Sequence, residues 1–399
     1  MKIAILGYTA TSYGSLTYLK NLLPQLARLD RTNIYQVFIP ARQAPELVVD
    51  QPNFHFHRGR IVPRSGLGRM LWEQLILPWT IWVKRIDLVY TTHNIAVLLS
   101  RVPSVVLIQN VEPFYLDEFP SPPRLRARLM LLRLLSHLSL RRGAHIVAIS
   151  DWERDLLVER LRVPQSRITV AYPGASEVFR PADPDSARQL QERLGLAPPY
   201  LLCATRLTGY GNLLNLAKAF AILVKRNRLA MPLVIPGEVW DESYIGEVRK
   251  VLQQEGCAGQ VRFLGYVPHQ DMALLMANAT CFLFPSLLEA CGNVLLEALA
   301  CGTPIACCGR RPMTDICGEA AVYFDGEDPT GMADKIFGVL DDAPLRETLK
   351  RRGTVRAREF SWRRNAEVVR GVFEQLGGRL QDGAGNAKAI SSESSTRAG

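Results

Sequence analysis

The sequence predicts an α/β protein of two Rossmann-like domains, and three observations predict it. At 399 residues the chain exceeds what one ordinary core organises. Short apolar runs rich in β-branched residues alternate with segments of helical period in both halves, the pattern of parallel strands joined by crossover helices. Between the halves, residues 170–184 are rich in Pro, Gly, Ala and Asp, which marks a connection rather than an element.

The first domain, residues 1–175, opens with the strand candidate 1–7, and residues 15–29 then set Leu16, Leu19, Leu22, Leu23 and Leu26 at helical spacing. Gly14 alone precedes that helix, so the loop carries no dinucleotide fingerprint. Further strands are predicted at 35–39, 88–91, 105–108 and 145–149. Ligands of doubly wound sheets sit beyond the carboxyl ends of the strands, which makes His93-Asn94 and Gln109-Asn110 candidate ligand positions. A loop histidine is also a common solvated or capping side chain.

Two segments of this half stand apart. Residues 69–85, RMLWEQLILPWTIWVKR, pack three Trp between basic ends, and residues 124–142 set Leu125, Leu129, Leu132, Leu135 and Leu138 among arginines. Basic amphipathic helices lie on anionic membranes, and they also serve as core-facing helices with a solvated basic face; both readings stay open.

The second domain, residues 176–360, is again alternating. Strands are predicted at 200–205, 233–236 before Gly237, 261–264, 280–284 and 304–308, with helices at 213–226, 247–255 and 272–278. A helix at 361–376 follows, and residues 377–399, rich in Gly, Ser and Ala, are expected to be disordered.

Composition narrows the class. With 48% hydrophobic and 22% charged residues and no long apolar run, the chain reads as cytoplasmic, without signal peptide or membrane span. The eight cysteines all lie beyond residue 200 without a C-x-x-C pair, which reads as buried free thiols and no metal site. The formal charge of +10 is one-sided: residues 1–180 hold 23 Lys and Arg against 13 Asp and Glu, the remainder 25 of each. A basic first domain suggests an acidic partner such as anionic lipid, or simple solubilisation; no nucleic-acid module is recognisable.

The most informative stretch is 285–304, PSLLEACGNVLLEALACGTP. Gly292-Asn293 favours a helix start, placing Glu289 on a loop and Glu297 one turn inside an apolar helix. The mouth of such a helix binds phosphate through free N–H groups and its dipole. Glu297, surrounded by Val294, Leu295, Leu296, Ala298 and Leu299, needs a partner, which ligand hydroxyls, a backbone N–H or an arginine would provide.

This stretch, with Gly265-Tyr266-Val267-Pro268 before it and the run 313–321 after it, resembles the signature of the family 4 type of retaining glycosyltransferases with the GT-B fold. The resemblance implies two Rossmann-like domains facing a cleft, with a last helix that crosses back onto the first domain. It implies transfer of a sugar from a nucleotide-sugar, metal-independent and with anomeric retention, to a glycan or lipid-linked acceptor of polysaccharide biosynthesis. Glu289 would act on the transferred sugar and Glu297 on the ribose. Arg206, Gly292, Asn293 and Val294 would hold the diphosphate, approached by Gly14, while Gly237 and Val267 line the base. His93 and Asn110 would stand on the acceptor side. No cofactor is implied. The sequence departs from the family at Asp315, where Glu is usual, at Gln109, where His is usual, and at Gly211-Asn212, where Lys-Gly is usual. The last two departures favour an alternative: a catalytically reduced nucleotide-sugar-binding or membrane- or partner-docking protein of the same fold.

Overall fold

The computed structural model describes residues 1–396 except 9–12, 42–43, 60–65, 120–122 and 228; the side chains of 13, 44, 66–67, 124, 227 and 380–396 are also outside the description. Part of the loop before Gly14, Arg124 and most of the predicted tail fall there.

Among the described residues, seven parallel strands form the first sheet: β1 (Lys2–Leu6), β2 (Ile34–Pro40), β3 (Phe54–Gly59), β4 (Leu88–Thr91), β5 (Ser104–Leu107), β6 (His145–Ala148) and β7 (Ile168–Val170), in the order β3-β2-β1-β4-β5-β6-β7. Six form the second: β8 (Leu201–Leu202), β9 (Leu233–Pro236), β10 (Val261–Gly265), β11 (Cys281–Phe284), β12 (Ile305–Cys308) and β13 (Ala321–Phe324), in the order β10-β9-β8-β11-β12-β13. This is the GT-B architecture. Strands β4, β5, β6, β9, β11 and β12 are buried at every position, which is why they read as continuous apolar runs rather than alternating ones.

Strand order reverses between β1 and β4 and again between β8 and β11. Crevices open at such points beyond the carboxyl ends of the strands. The loops carrying His93, Arg206 and Glu289 leave β4, β8 and β11, so topology alone delivers them to crevices.

Three strands escaped the sequence reading. β3 is a sheet-edge strand whose histidines and arginine break the apolar pattern; β7 and β13 are also edge strands, of three and four residues. All eight cysteines are buried and unpaired.

The last helix, Trp362–Thr396, lies on the first domain. Tyr18 Oη donates to Asn365 Oδ1 at 3.3 Å, Asn365 Nδ2 donates to the Ala171 carbonyl at 2.9 Å, and Arg370 Nη1 donates to the Leu29 carbonyl at 2.8 Å. Gly174 makes the crossing possible, since a Cβ there would stand 2.7 Å from the Trp362 nitrogen. The helix runs past residue 376, so the backbone of the predicted disordered stretch is helical to Thr396; Ala, Gln, Glu and Lys within it are adequate helix formers.

The two basic segments do not turn their apolar sides wholly inward. The first forms helices Gly66–Leu75 and Leu77–Val83; Leu77 and Ile81 are buried, while Trp79 and Trp82 are 66% and 75% exposed. The second is helix Pro123–Arg142, with Leu129 and Leu140 buried and Met130, Leu131, Leu134 and Leu138 exposed. Among the described residues no helix is long and apolar enough to cross a membrane.

Candidate active site

Helix Asn293–Cys301 begins where the sequence reading places it. Gly292 takes φ +80°, a left-handed angle that glycine adopts without strain, and no side chain caps the mouth behind it. Asn293 Oδ1 is buried there without a partner. One turn in, Glu297 is half-buried, and burial pushes its carboxyl up to about 8 with no described cation or hydrogen bond to offset it.

Glu289 is half-buried on the loop before the mouth. Ser286 Oγ donates to its Oε1 at 2.8 Å. Burial pushes its carboxyl up to about 7 against the opposing pull of that hydrogen bond and of the Arg206 charge. The Arg206 and Glu289 loops are laced together, because Leu287 N–H donates to the Tyr210 carbonyl at 2.8 Å. Arg206 Nη1 donates to Tyr210 Oη at 3.0 Å and stands 3.6 Å from Glu112 Oε2 of the first domain. A second bridge crosses the cleft, from Ser150 Oγ to the Ala290 carbonyl at 2.6 Å.

The turn after Arg206 is built differently from the expected Lys-Gly pair. Gly209–Gly211 is a 3-10 turn, and a Cβ on Gly211 would stand 1.8 Å from the Arg206 carbonyl oxygen. Gly211 stands where the family usually has Lys, and as the turn is built no side chain fits there. Asn212 takes the left-handed angle, φ +62°, and its buried Nδ2 donates to the Gly326 carbonyl at 2.7 Å and the Pro285 carbonyl at 3.1 Å.

On the other wall, His93 Nε2 lies 3.3 Å from Glu73 Oε2, a buried carboxylate. The Asn94 side chain accepts from the Gln109 and Asn110 N–H groups and donates to the Asn110 carbonyl at 2.6 Å. Asn110 Oδ1 accepts from Glu112 N–H at 2.9 Å, so this predicted acceptor-side residue shapes the turn that carries Glu112. Gly14 faces open space, a Cβ there meeting only Gln109 Oε1 at 3.9 Å. In the second domain Gly237, φ +133°, donates its N–H to the Gly265 carbonyl at 2.7 Å; Val267 is half-buried next to the exposed Tyr266.

The structure therefore joins Arg206 and Glu289 and adds Tyr210, Ser286 and Glu112, which the sequence reading missed. The first two were within reach as polar side chains flanking recognised loops. Nothing local marks Glu112, whose partner is distant in sequence.

The description Glycosyltransferase Family 4 fits residues 14–177, and Glycosyl transferases group 1 fits residues 187–356. The chain belongs to this glycosyltransferase family. It is 27% identical over 278 residues to O-antigen chain mannosyltransferase B of Escherichia coli, covering 69% of this chain and 71% of that protein. It is 30% identical over 254 residues to a D-inositol 3-phosphate glycosyltransferase of Nocardioides sp., covering 59% of this chain and only 55%, about half, of that one. Among solved structures, Anabaena HepE in complex with UDP and glucose superposes with a TM-score of 0.73 at 17% identity, over 94% of this chain and all of that one. WaaG, a glycosyltransferase involved in lipopolysaccharide biosynthesis, gives 0.69 at 16% identity, over 89% and 95%. At these identities the structural likeness speaks for the GT-B fold.

Proposed function

We propose that this glycosyltransferase moves a sugar from a nucleotide-sugar to a growing glycan, without a metal ion and with retention at the anomeric carbon. The observation that carries the reading is the placing of Arg206 and Glu289 beside the uncapped mouth of helix Asn293–Cys301. The mouth N–H groups and Arg206 neutralise the charge that grows on the leaving diphosphate, the work a metal ion would otherwise do. Glu289 accepts hydrogen bonds from hydroxyls of the transferred sugar, and Glu297 those of the ribose, which gives its half-buried carboxyl a partner. The acceptor oxygen bonds to the anomeric carbon on the face from which the diphosphate departs. The carbon–phosphate-oxygen bond breaks, the acceptor proton passes to the leaving oxygen, and the nucleoside diphosphate is released.

The acceptor in this reading is lipid-linked, and the first domain rests on an anionic membrane. Helix Gly66–Leu75, which leads into Leu77–Val83, is tied through Leu98 to the last turn of Pro123–Arg142: Leu98 N–H donates to Gln74 Oε1 at 2.8 Å, and Arg142 Nη1 donates to the Leu98 carbonyl at 2.7 Å. Trp79, Trp82, Leu99 and Leu134 are exposed apolar side chains on the domain that carries the whole basic excess, the composition of an interfacial surface.

Incubation with a panel of nucleotide-sugars tests the donor reading: slow hydrolysis or transfer from one of them supports it, and no binding by any overturns it. Proton NMR of the transferred sugar checks retention. For the membrane, flotation with vesicles of neutral lipid and of neutral lipid plus phosphatidylglycerol is the check. Recovery on the anionic vesicles that Trp79→Ala and Trp82→Ala together reduce about tenfold is expected; equal recovery on both vesicle types counts against it.

A further inference from the structure

Glu112 faces the cleft, and the donor reading gives it no role. It starts the turn Glu112–Tyr115 just beyond β5, in the first domain, and reaches across to an arginine of the second. Its surroundings hold it firmly. Its N–H is fixed by Asn110 Oδ1, Asn110 is fixed in turn by Asn94, and the next two residues, Pro113 and Phe114, are buried. The carboxylate is 17% exposed, whereas the guanidinium side chain of Arg206 is 45% exposed on a long stem. Burial pushes the carboxyl pKa of Glu112 above its ordinary value, opposed first by Arg206 and then by Arg128.

We infer that Glu112 is the resident counter-ion of the diphosphate site, occupying Arg206 until a nucleoside diphosphate group takes its place. This rests on the nucleotide-sugar reading above and adds a residue and an exchange to it. A diphosphate brings more negative charge and more acceptor oxygens than one carboxylate, so it wins the arginine. The rigid member of the pair is Glu112 and the long-stemmed member is Arg206, so the arginine swings and the carboxylate stays. Once parted from Arg206, Glu112 is a half-buried acceptor on the first-domain wall that still needs a hydrogen bond. A hydroxyl of the incoming acceptor supplies it. Glu112 is accordingly a positioning residue that becomes available on the acceptor side only after the donor is in place, and the exchange imposes an order of binding.

The inference predicts a gain of affinity on mutation, which a merely structural role would not produce. UDP, GDP, ADP and CDP, each alone, and the matching nucleosides are titrated calorimetrically into the full chain and into E112Q and E112A. Removing the competing carboxylate should tighten the preferred diphosphate about three- to tenfold while leaving its nucleoside unchanged. In an R206Q background the same substitution should give no gain, because the cation being competed for is gone. Equal or weaker diphosphate binding in both Glu112 variants, with melting temperatures unchanged, overturns the inference. So does an equal gain for the nucleoside, which would indicate a general opening of the cleft. Failure of wild type and variants alike to bind any of the four diphosphates overturns the donor reading itself and the inference with it. A variant that does not fold leaves the other to decide, and Glu112→Asp, which draws the charge back by one methylene, should give an intermediate gain.

Discussion

The two walls of the cleft are built by different rules. The second-domain wall rests on backbone geometry: Gly292 at φ +80°, Gly237 at +133°, Asn212 at +62° and a helix mouth without a capping side chain. The first-domain wall rests on side chains that hold one another, with Asn94 bracing Asn110, Asn110 seating Glu112, and Glu73 behind His93. A wall of the first kind offers N–H groups to any phosphate and depends on a few glycines. A wall of the second kind is as specific as its pairings.

The comparison breaks most sharply at Glu289, the point where a side chain serves the backbone-built wall. Glu289→Gln should lower turnover about a hundredfold while changing nucleotide affinity little, because the lost charge acts on the sugar and not on the nucleotide. Turnover against pH gives a second measure. With its pKa pushed up to about 7 by burial, wild type should gain activity as pH rises through that value in the free enzyme, and the glutamine variant should lose that step. Equal activity of the two proteins at pH 8 would remove Glu289 from the chemistry.

Next in size is Glu297. Glu297→Gln should weaken nucleotide binding about tenfold by calorimetry, since the amide accepts ribose hydroxyl bonds less well than a carboxylate. The same variant should be more stable at alkaline pH. The folded-state value of about 8 lies above the ordinary 4.5, so the stability this group permits is complete below 4.5 and declines as pH rises through 8. Melting temperature at pH 8.5 should therefore rise by about 2–4 °C in the variant, with no rise at pH 4.5.

Gly211 tests the backbone rule directly. Even Gly211→Ala places a Cβ against the Arg206 carbonyl, so the turn must open, at about 1–3 kcal/mol in stability and with a misplaced Arg206. Denaturant midpoints and nucleotide affinity should fall together. A variant as stable as wild type would show that the turn tolerates a side chain after all.

How much of this was legible follows the same division. Two parallel sheets were readable because buried strands such as β4 and β11 are short apolar runs bounded by turns, and the helix start at Asn293 because Gly-Asn demands a special angle. The edge strands β3, β7 and β13 were not, being short or partly polar. Glu289, Glu297 and Arg206 lie on recognisable local patterns. Glu112 and Ser150 act through contacts 94 and 140 positions away, and no local pattern encodes them. Gly211 is the converse case: the absent Lys is visible in the sequence, while the lack of room for a Cβ is visible only in the structure.

The smallest expected effect concerns Ser150, whose hydroxyl does two things at once. It accepts from Glu153 N–H at 3.1 Å, capping helix Asp151–Glu159, and it donates to the Ala290 carbonyl beside Glu289. Ser150→Ala loses both, and a cap alone is worth about 1 kcal/mol, or about 2–4 °C in melting temperature. Ser150→Asp separates the two, because a carboxylate caps a helix as well as a hydroxyl does but has no proton to give to a carbonyl. Aspartate should therefore keep the cap while repelling Ala290, loosening the Glu289 loop from the first domain. If the bridge matters for closure, the aspartate variant holds its helix, measured by far-ultraviolet circular dichroism, yet turns over more slowly, about threefold, than the alanine variant. Equal turnover of the two would leave Ser150 as a helix cap whose contact with the second domain is incidental.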